Sequence, residues 1–98
     1  MVLSRRTDAE YVAAVHVLTA PILAARTPGY ITPDGIRFDR LLEASRSWSH
    51  GEQLLVDVAL DLWNGDGKST PMDLIRSLDD GNFDRVLEAI ALRRGTRP

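Results

Sequence analysis

Asp57 and Asp61 stand four residues apart in a stretch with helical patterning, so the two carboxylates share a face. Carboxylates that close can share one proton and divide the parts of acid and base. The same spacing also describes the solvent edge of a helix, with pairing to arginines such as Arg40 or Arg85. Surface ion pairs are common and catalytic carboxylate pairs rare, so the second reading is preferred. His16 and His50 are single histidines. A metal site needs several ligands converging, such as two His four apart with a third partner, and neither histidine has such a neighbour in the sequence. His50 with Asp57 or Asp61 is the best set available to a small hydrolase. No catalytic, metal-binding or cofactor-binding residue is assigned, and no cofactor is expected.

Gly65-Asp66-Gly67-Lys68-Ser69-Thr70 resembles the end of a phosphate-binding P-loop. That loop needs a glycine where this chain has Leu62, and it joins a strand to a helix. A polar interhelical loop is the better reading. Asn64, Asp66 and Gly67 also imitate the middle of a calcium-binding EF-hand loop, but its first ligand would be Leu62 and its twelfth Asp73 rather than Glu. Ser49-His50-Gly51-Glu52-Gln53 looks like the signature turn of ABC-type ATPases. A capping box formed by Ser49 and Glu52 explains the same residues without a ligand. A helix N-terminus can still hold an anion, so a small anion- or nucleotide-binding protein stays as an alternative.

These residues need a scaffold, and 98 residues make one domain with one core. A composition 44% hydrophobic and 27% charged is ordinary for a globular chain. The net charge of −2 argues against a general polyanion binder. There is no cysteine, which removes disulfides and thiolate metal sites and fits a reducing compartment. Thr7, Asp8 and Glu10 interrupt any signal-peptide core after Met1, and no apolar run approaches the roughly 20 residues of a membrane span. The expected location is the cytoplasm, with no membrane partner.

The strongest structural signal lies at residues 49–65. Ser49 and Glu52 mark a helix start, Gly65 marks its end, and only Gln53, Asp57, Asp61 and Asn64 make a polar stripe between them. A helix so apolar is normally surrounded by other helices. An earlier helix begins at Thr7, with Thr7 and Glu10 as a capping box, and Pro21 kinks or breaks it near Leu18 or opens a second short helix. Residues 30–38 form either a small hairpin turning at Pro33-Asp34-Gly35 or an extended loop that pins Tyr30, Ile31 and Ile36 in the core. A helix from Phe38 or Asp39 to about Ser47 uses Leu41, Leu42 and Ala44 as its apolar side. Thr70-Pro71 opens a short helix with Met72, Ile75 and Leu78 as its buried side, which Leu74 can extend. Asp79 or Asp80 caps the last helix, whose inward face is Phe83, Val86, Leu87 and Ile90 and which stops at Gly95. The expected fold is all-α: a compact bundle of four to five short helices around a central apolar helix, spanning 1–98 as one domain. Its ends fray at about 1–6 and 96–98.

Trp48 and Trp63 flank the central helix, where each is either core or an interface anchor. With His50 they are the candidate partner-binding residues. Arg93 and Arg94, near Arg5, Arg6 and Arg97 if the termini meet, are the nucleic-acid candidates, opposed by Asp84 and Glu88 on the same helix. The segments Trp48-Ser49-His50-Gly51-Glu52-Gln53, Leu62-Trp63-Asn64-Gly65, Leu78-Asp79-Asp80-Gly81-Asn82-Phe83, Leu87-Glu88-Ala89-Ile90 and Arg93-Arg94-Gly95 together resemble short uncharacterised bacterial proteins, with an actinobacterial leaning. That resemblance covers about residues 40–95 and implies a small helical protein with no activity attached. The expected function is a non-enzymatic interaction module: a small adaptor, regulator or oligomeric subunit. The abundance of apolar residues on the central helix favours a homodimer. A nucleic-acid-associated regulator from a mobile element is the alternative.

Overall fold

A computed structural model describes residues 7–95. The chain is an all-α bundle with one small hairpin, in the order α1 (Ala9–Leu18), β1 (Ile31–Thr32), β2 (Gly35–Ile36), α2 (Phe38–Ser45), α3 (His50–Asn64), α4 (Pro71–Ser77) and α5 (Asp80–Arg94). Helices α1, α3 and α5 enclose the core, with α2 laid against α3.

The N-cap of α1 is Asp8 rather than Thr7. Its carboxylate accepts the Tyr11 N–H at 3.2 Å. Aspartate is at least as good a cap as threonine, and this register still leaves Glu10 in the first turn, beside the positive end of the helix dipole. Pro21 ends the helical path as expected, opening a 3-10 turn at Pro21–Leu23, and a second 3-10 turn follows at Pro28–Tyr30. The buried Thr27 ties this segment back to α1. Its hydroxyl donates to the Leu18 carbonyl at 2.7 Å, with the Leu23 carbonyl 3.1 Å away. Leu18 ends α1, so its carbonyl has no partner one turn further along. Thr27→Val keeps the shape and removes the donor. We expect a loss of about 1–3 kcal/mol in chemical denaturation.

Residues 30–38 satisfy both sequence readings at once. Ile31 pairs with Ile36 and Thr32 with Gly35 in an antiparallel hairpin, while Tyr30, Ile31 and Ile36 pack against the core. Two residues per strand are too few to stand alone. The Tyr11 hydroxyl anchors the hairpin to α1 by donating to the Thr32 carbonyl at 2.5 Å.

Helix α3 carries the expected signals. Ser49 and Glu52 form a reciprocal capping box, and Gly65 adopts φ 81°, a left-handed conformation suited to glycine. Leu54, Leu55, Val56, Val58 and Ala59 are all buried, because α3 meets α1, α2, α4 and α5 in turn. Gln53 donates from Nε2 to the Ser45 and Arg46 carbonyls, both at 2.9 Å, and so closes the end of α2. Helix α2 stops at Ser45, two residues before the expected Ser47. It buries Phe38, Leu41 and Ser45, while Leu42 faces solvent.

The inward faces of α4 and α5 follow expectation at Leu74, Leu78 and Val86 and depart from it at Met72, Ile75, Leu87 and Ile90. Leu74 on α4 and Leu78 at its C-cap pack on the core, and Met72 and Ile75 are exposed. In α5, the buried residues are Asn82, Val86 and Ala89, while Leu87 and Ile90 are exposed. On α5 the difference is about one residue of rotation, roughly 100° on a helix. Helix α5 lies mainly on α1, where Ala13 and Ala14 are fully buried, as is Ala89 on α5. The face of α5 turned to the core carries Asn82, Val86 and Ala89, which leaves the larger Leu87 and Ile90 outside.

Candidate functional site

After the left-handed turn at Gly65, the chain folds back along α3. The Gly67 N–H donates to Asp61 Oδ1 at 3.2 Å. The Lys68 N–H lies 3.0 Å from each Asp57 oxygen, and the Ser69 N–H donates to Asp57 Oδ2 at 2.8 Å. The P-loop-like string therefore does aim successive backbone N–H groups at an anion. That anion is the chain's own Asp57 carboxylate. Asp57 and Asp61 act as a clamp for the loop, and neither pairs with Arg40 or Arg85. The clamp delivers Thr70 to the start of α4, where Thr70 and Asp73 form a second reciprocal capping box.

His50 opens onto the same shallow depression as Asp57, Lys68, Ser69 and Asp73. Among the described residues no hydrogen bond joins it to Asp57 or Asp61, and no cluster of three or more metal-ligating side chains exists. The Asp73 carboxyl is held below the usual carboxylate range, first by the Thr70 N–H and hydroxyl, with smaller attraction from Arg76 and His50. Glu52 is lowered in the same way by the Ser49 N–H and hydroxyl, assisted by Arg26. Both groups bind protons more weakly folded than unfolded. Their stabilisation is thus complete at neutral pH and is lost as pH falls below the ordinary carboxylate range of about 4. We expect the denaturation midpoint to drop between pH 6 and about pH 3, and Glu52→Gln with Asp73→Asn to flatten that slope. An unchanged slope would remove the capping boxes from the account of acid stability.

The two tryptophans are half-buried against the core. Trp63 meets Tyr11 edge-on at 6.4 Å between ring centroids and Phe38 at 6.0 Å, joining α1, α2 and α3. Arg26 lies 5.0 Å over the Trp48 ring and is held there by Glu52 Oε2 at 2.8 Å. Arg93 donates from Nε to the Leu62 carbonyl at 2.8 Å and sits 3.9 Å from Glu10, so it braces the ends of α3 and α1. Arg94 is exposed about 100° further round α5. The two arginines therefore do not share a face. Arg5, Arg6 and Arg97 lie outside the described residues. His16 Nε2 lies 2.8 Å from Glu88, and Arg85 donates to the His16 carbonyl at 2.6 Å, completing a polar clasp between α1 and α5.

A groove of about 320 Å³ runs between α1 and the hairpin, past Tyr11, Val15, Thr27 and Ile31. The hydroxyls on its wall already serve internal partners, including Thr32, Leu18 and Val15 carbonyls. A ligand there would find shape and little polar recognition.

The feature that sequence reasoning assigns to the core is an apolar face on α4 and α5. Met72 is 47% exposed, Ile75 58%, Leu87 49% and Ile90 44%. Ile75, Leu78, Asp80 and Phe83 line one groove of this face, and Leu74, Pro71 and Ile90 border a second. On α5 the apolar residues Phe83, Leu87 and Ile90 stand beside Val86 and Ala89, and it is the last two that are buried. The sequence places surplus apolar surface on α3, where Leu54, Leu55, Val56, Val58 and Ala59 are buried within the chain and Leu60, Leu62 and Trp63 are half-buried. No helix among the described residues is long and apolar enough to cross a membrane. No family model matches the chain, and no curated protein or solved structure matches it.

Proposed function

We propose that this chain is a non-enzymatic protein–protein interaction module, an adaptor, regulator or oligomeric subunit, that works through the α4–α5 face. The carrying observation is that Met72, Ile75, Leu87 and Ile90 are each exposed on two successive helices, with Ile75 beside Phe83 in one groove and Ile90 beside Pro71 and Leu74 in another. Four large apolar side chains at that exposure, bordered by Asp73, Asp80 and Asp84, have the character of an interface core with a polar rim. The other candidate chemistry has internal employment: Asp57 and Asp61 hold a loop, and Arg93 braces α3. A cysteine-free chain suits residence in the cytoplasm.

The test compares tagged wild-type protein with Ile75→Lys by affinity capture from the host, with and without nuclease. A stoichiometric protein, either another polypeptide or an untagged copy, should survive nuclease and be lost with the variant. Circular dichroism should show unchanged helix content, because Ile75 is already mostly in water. Equal recovery with both proteins overturns the reading. Recovery of nucleic acid that disappears with Arg94→Ala would replace it with the nucleic-acid alternative.

A further inference from the structure

We propose that the partner of this face is a second copy of the chain, docked with α5 antiparallel to its own copy about a two-fold axis at Leu87. The inference rests on the reading of the α4–α5 face as an interface and adds what occupies it. Asp80, Phe83, Leu87, Ile90 and Arg94 follow one another at spacings of three, four, three and four, so they lie in one stripe along α5. Relative to Leu87 they fall at −7, −4, 0, +3 and +7. The stripe is self-complementary. Its charged ends are equidistant from the centre, one acidic and one basic, each about 10.5 Å away along the helix.

A two-fold axis at Leu87 places that residue against its own equivalent and Asp80 against the second copy's Arg94, twice over. Phe83 and Ile90 fill the turns between, and Ile75 widens the contact at the Phe83 end, where the two already line one groove. Asp80 and Arg94 are both exposed, and among the described residues neither has an ion pair or hydrogen bond from its side chain within the chain. A parallel arrangement would set Asp80 against Asp80 and Arg94 against Arg94, which like-charge repulsion disfavours. An unrelated partner would have no reason to match a charge pattern balanced about its own midpoint. A two-fold contact also closes on itself, covering the stripe in both copies.

Sedimentation equilibrium tests this on wild type, on Asp80→Arg alone, on Arg94→Asp alone, and on the two variants mixed in equal amounts. Wild type should show a concentration-dependent doubling of mass. Each variant alone places like charges at both ends and should self-associate about tenfold more weakly. The mixture should recover the dimer. In a mixed pair, the arginine introduced at position 80 of one chain meets the aspartate introduced at position 94 of the other. At the opposite end, native Arg94 meets native Asp80.

Leu87→Cys adds a second readout in a chain that has no cysteine. A residue on the axis meets its own equivalent, so oxidation should link two chains, whereas Glu88→Cys, turned toward His16, should not cross-link. A wild type that stays monomeric at millimolar concentration overturns the second copy as partner. If Ile75→Lys still abolishes capture of another protein, the interaction reading stands without it. A dimer indifferent to the charge swaps, or linked equally through both cysteine variants, overturns the antiparallel geometry.

Discussion

Gly67→Ala should destabilise the fold by about 3 kcal/mol, the cost of forcing a methyl group where no space exists. A Cβ at this position would lie 2.4 Å from the Asp61 Cβ, 2.8 Å from the Asp57 carbonyl oxygen and 3.0 Å from the Asp61 Cγ. Two of those atoms are fixed to the helix backbone or one bond from it, so no rotamer change relieves the contact. The loop must lift away from α3 instead. Lifting it lengthens the Gly67, Lys68 and Ser69 hydrogen bonds to Asp61 and Asp57. Gly29, Gly35 and Gly51 have open space at the same position, so their alanine variants are internal controls that should stay within about 1 kcal/mol of wild type. Urea denaturation of the four variants checks this. Equal stability across them would show that the loop does not press on α3. The same result bears on the phosphate-loop resemblance. There a small residue makes room for a phosphate; here it makes room for the flank of α3.

The helical frame is legible in the sequence because its signals are local. Ser49 with Glu52, Pro21, Thr70 with Pro71, Asp79, Gly65 and Gly95 each act within one turn of backbone, and each marks an element boundary in the structure. Thr7 misses by one residue because two adjacent side chains can both cap, and Asp8 does. The hairpin left open at residues 30–38 depends on a distant group, the Tyr11 hydroxyl, which no local pattern announces.

The faces of α4 and α5 escape the sequence for a different reason. Apolar periodicity shows that a helix has an apolar side, but on α5 the apolar residues spread from Val86 and Ala89 round to Phe83, Leu87 and Ile90. Choosing among them depends on which helix lies alongside, and that helix is α1. Ranking by size favours Leu87 and Ile90 for the core, whereas the residues buried are Val86 and Ala89. The candidate site shows the same limit. The spacing of Asp57 and Asp61 correctly puts both on one face of a helix, but their occupant is invisible, because the loop that fills them returns only after the turn at Gly65. Arg93 likewise reads as a free cation until the Leu62 carbonyl and Glu10 come beside it.

Asp57→Ala should cost about 2 kcal/mol and should act at a distance, on α4. Removing the carboxylate leaves the Lys68 and Ser69 N–H groups without the acceptor they share. A hydrogen bond to a charged group contributes about 1.5–3 kcal/mol, and water reaches the exposed Lys68 N–H, which holds the expected loss to the lower part of that range. Asp57→Asn keeps one acceptor and should lose about half as much. Helix α4 has only seven residues, too few to hold itself in water, and it touches the core through Leu74 and Leu78. Its position depends on the Thr70 cap, and the Asp57 clamp sets where Thr70 stands. Amide exchange should therefore accelerate through residues 67–77 in the variant and stay unchanged in α1 and α3. Uniform acceleration would mean that the carboxylate supports the whole fold rather than the loop. No change would mean that α4 is held by its apolar contacts and that the clamp is incidental. The selective pattern also carries a functional consequence. Met72 and Ile75 ride on α4, so on the proposed function releasing the clamp should weaken docking at their end of the face, although Asp57 lies on α3.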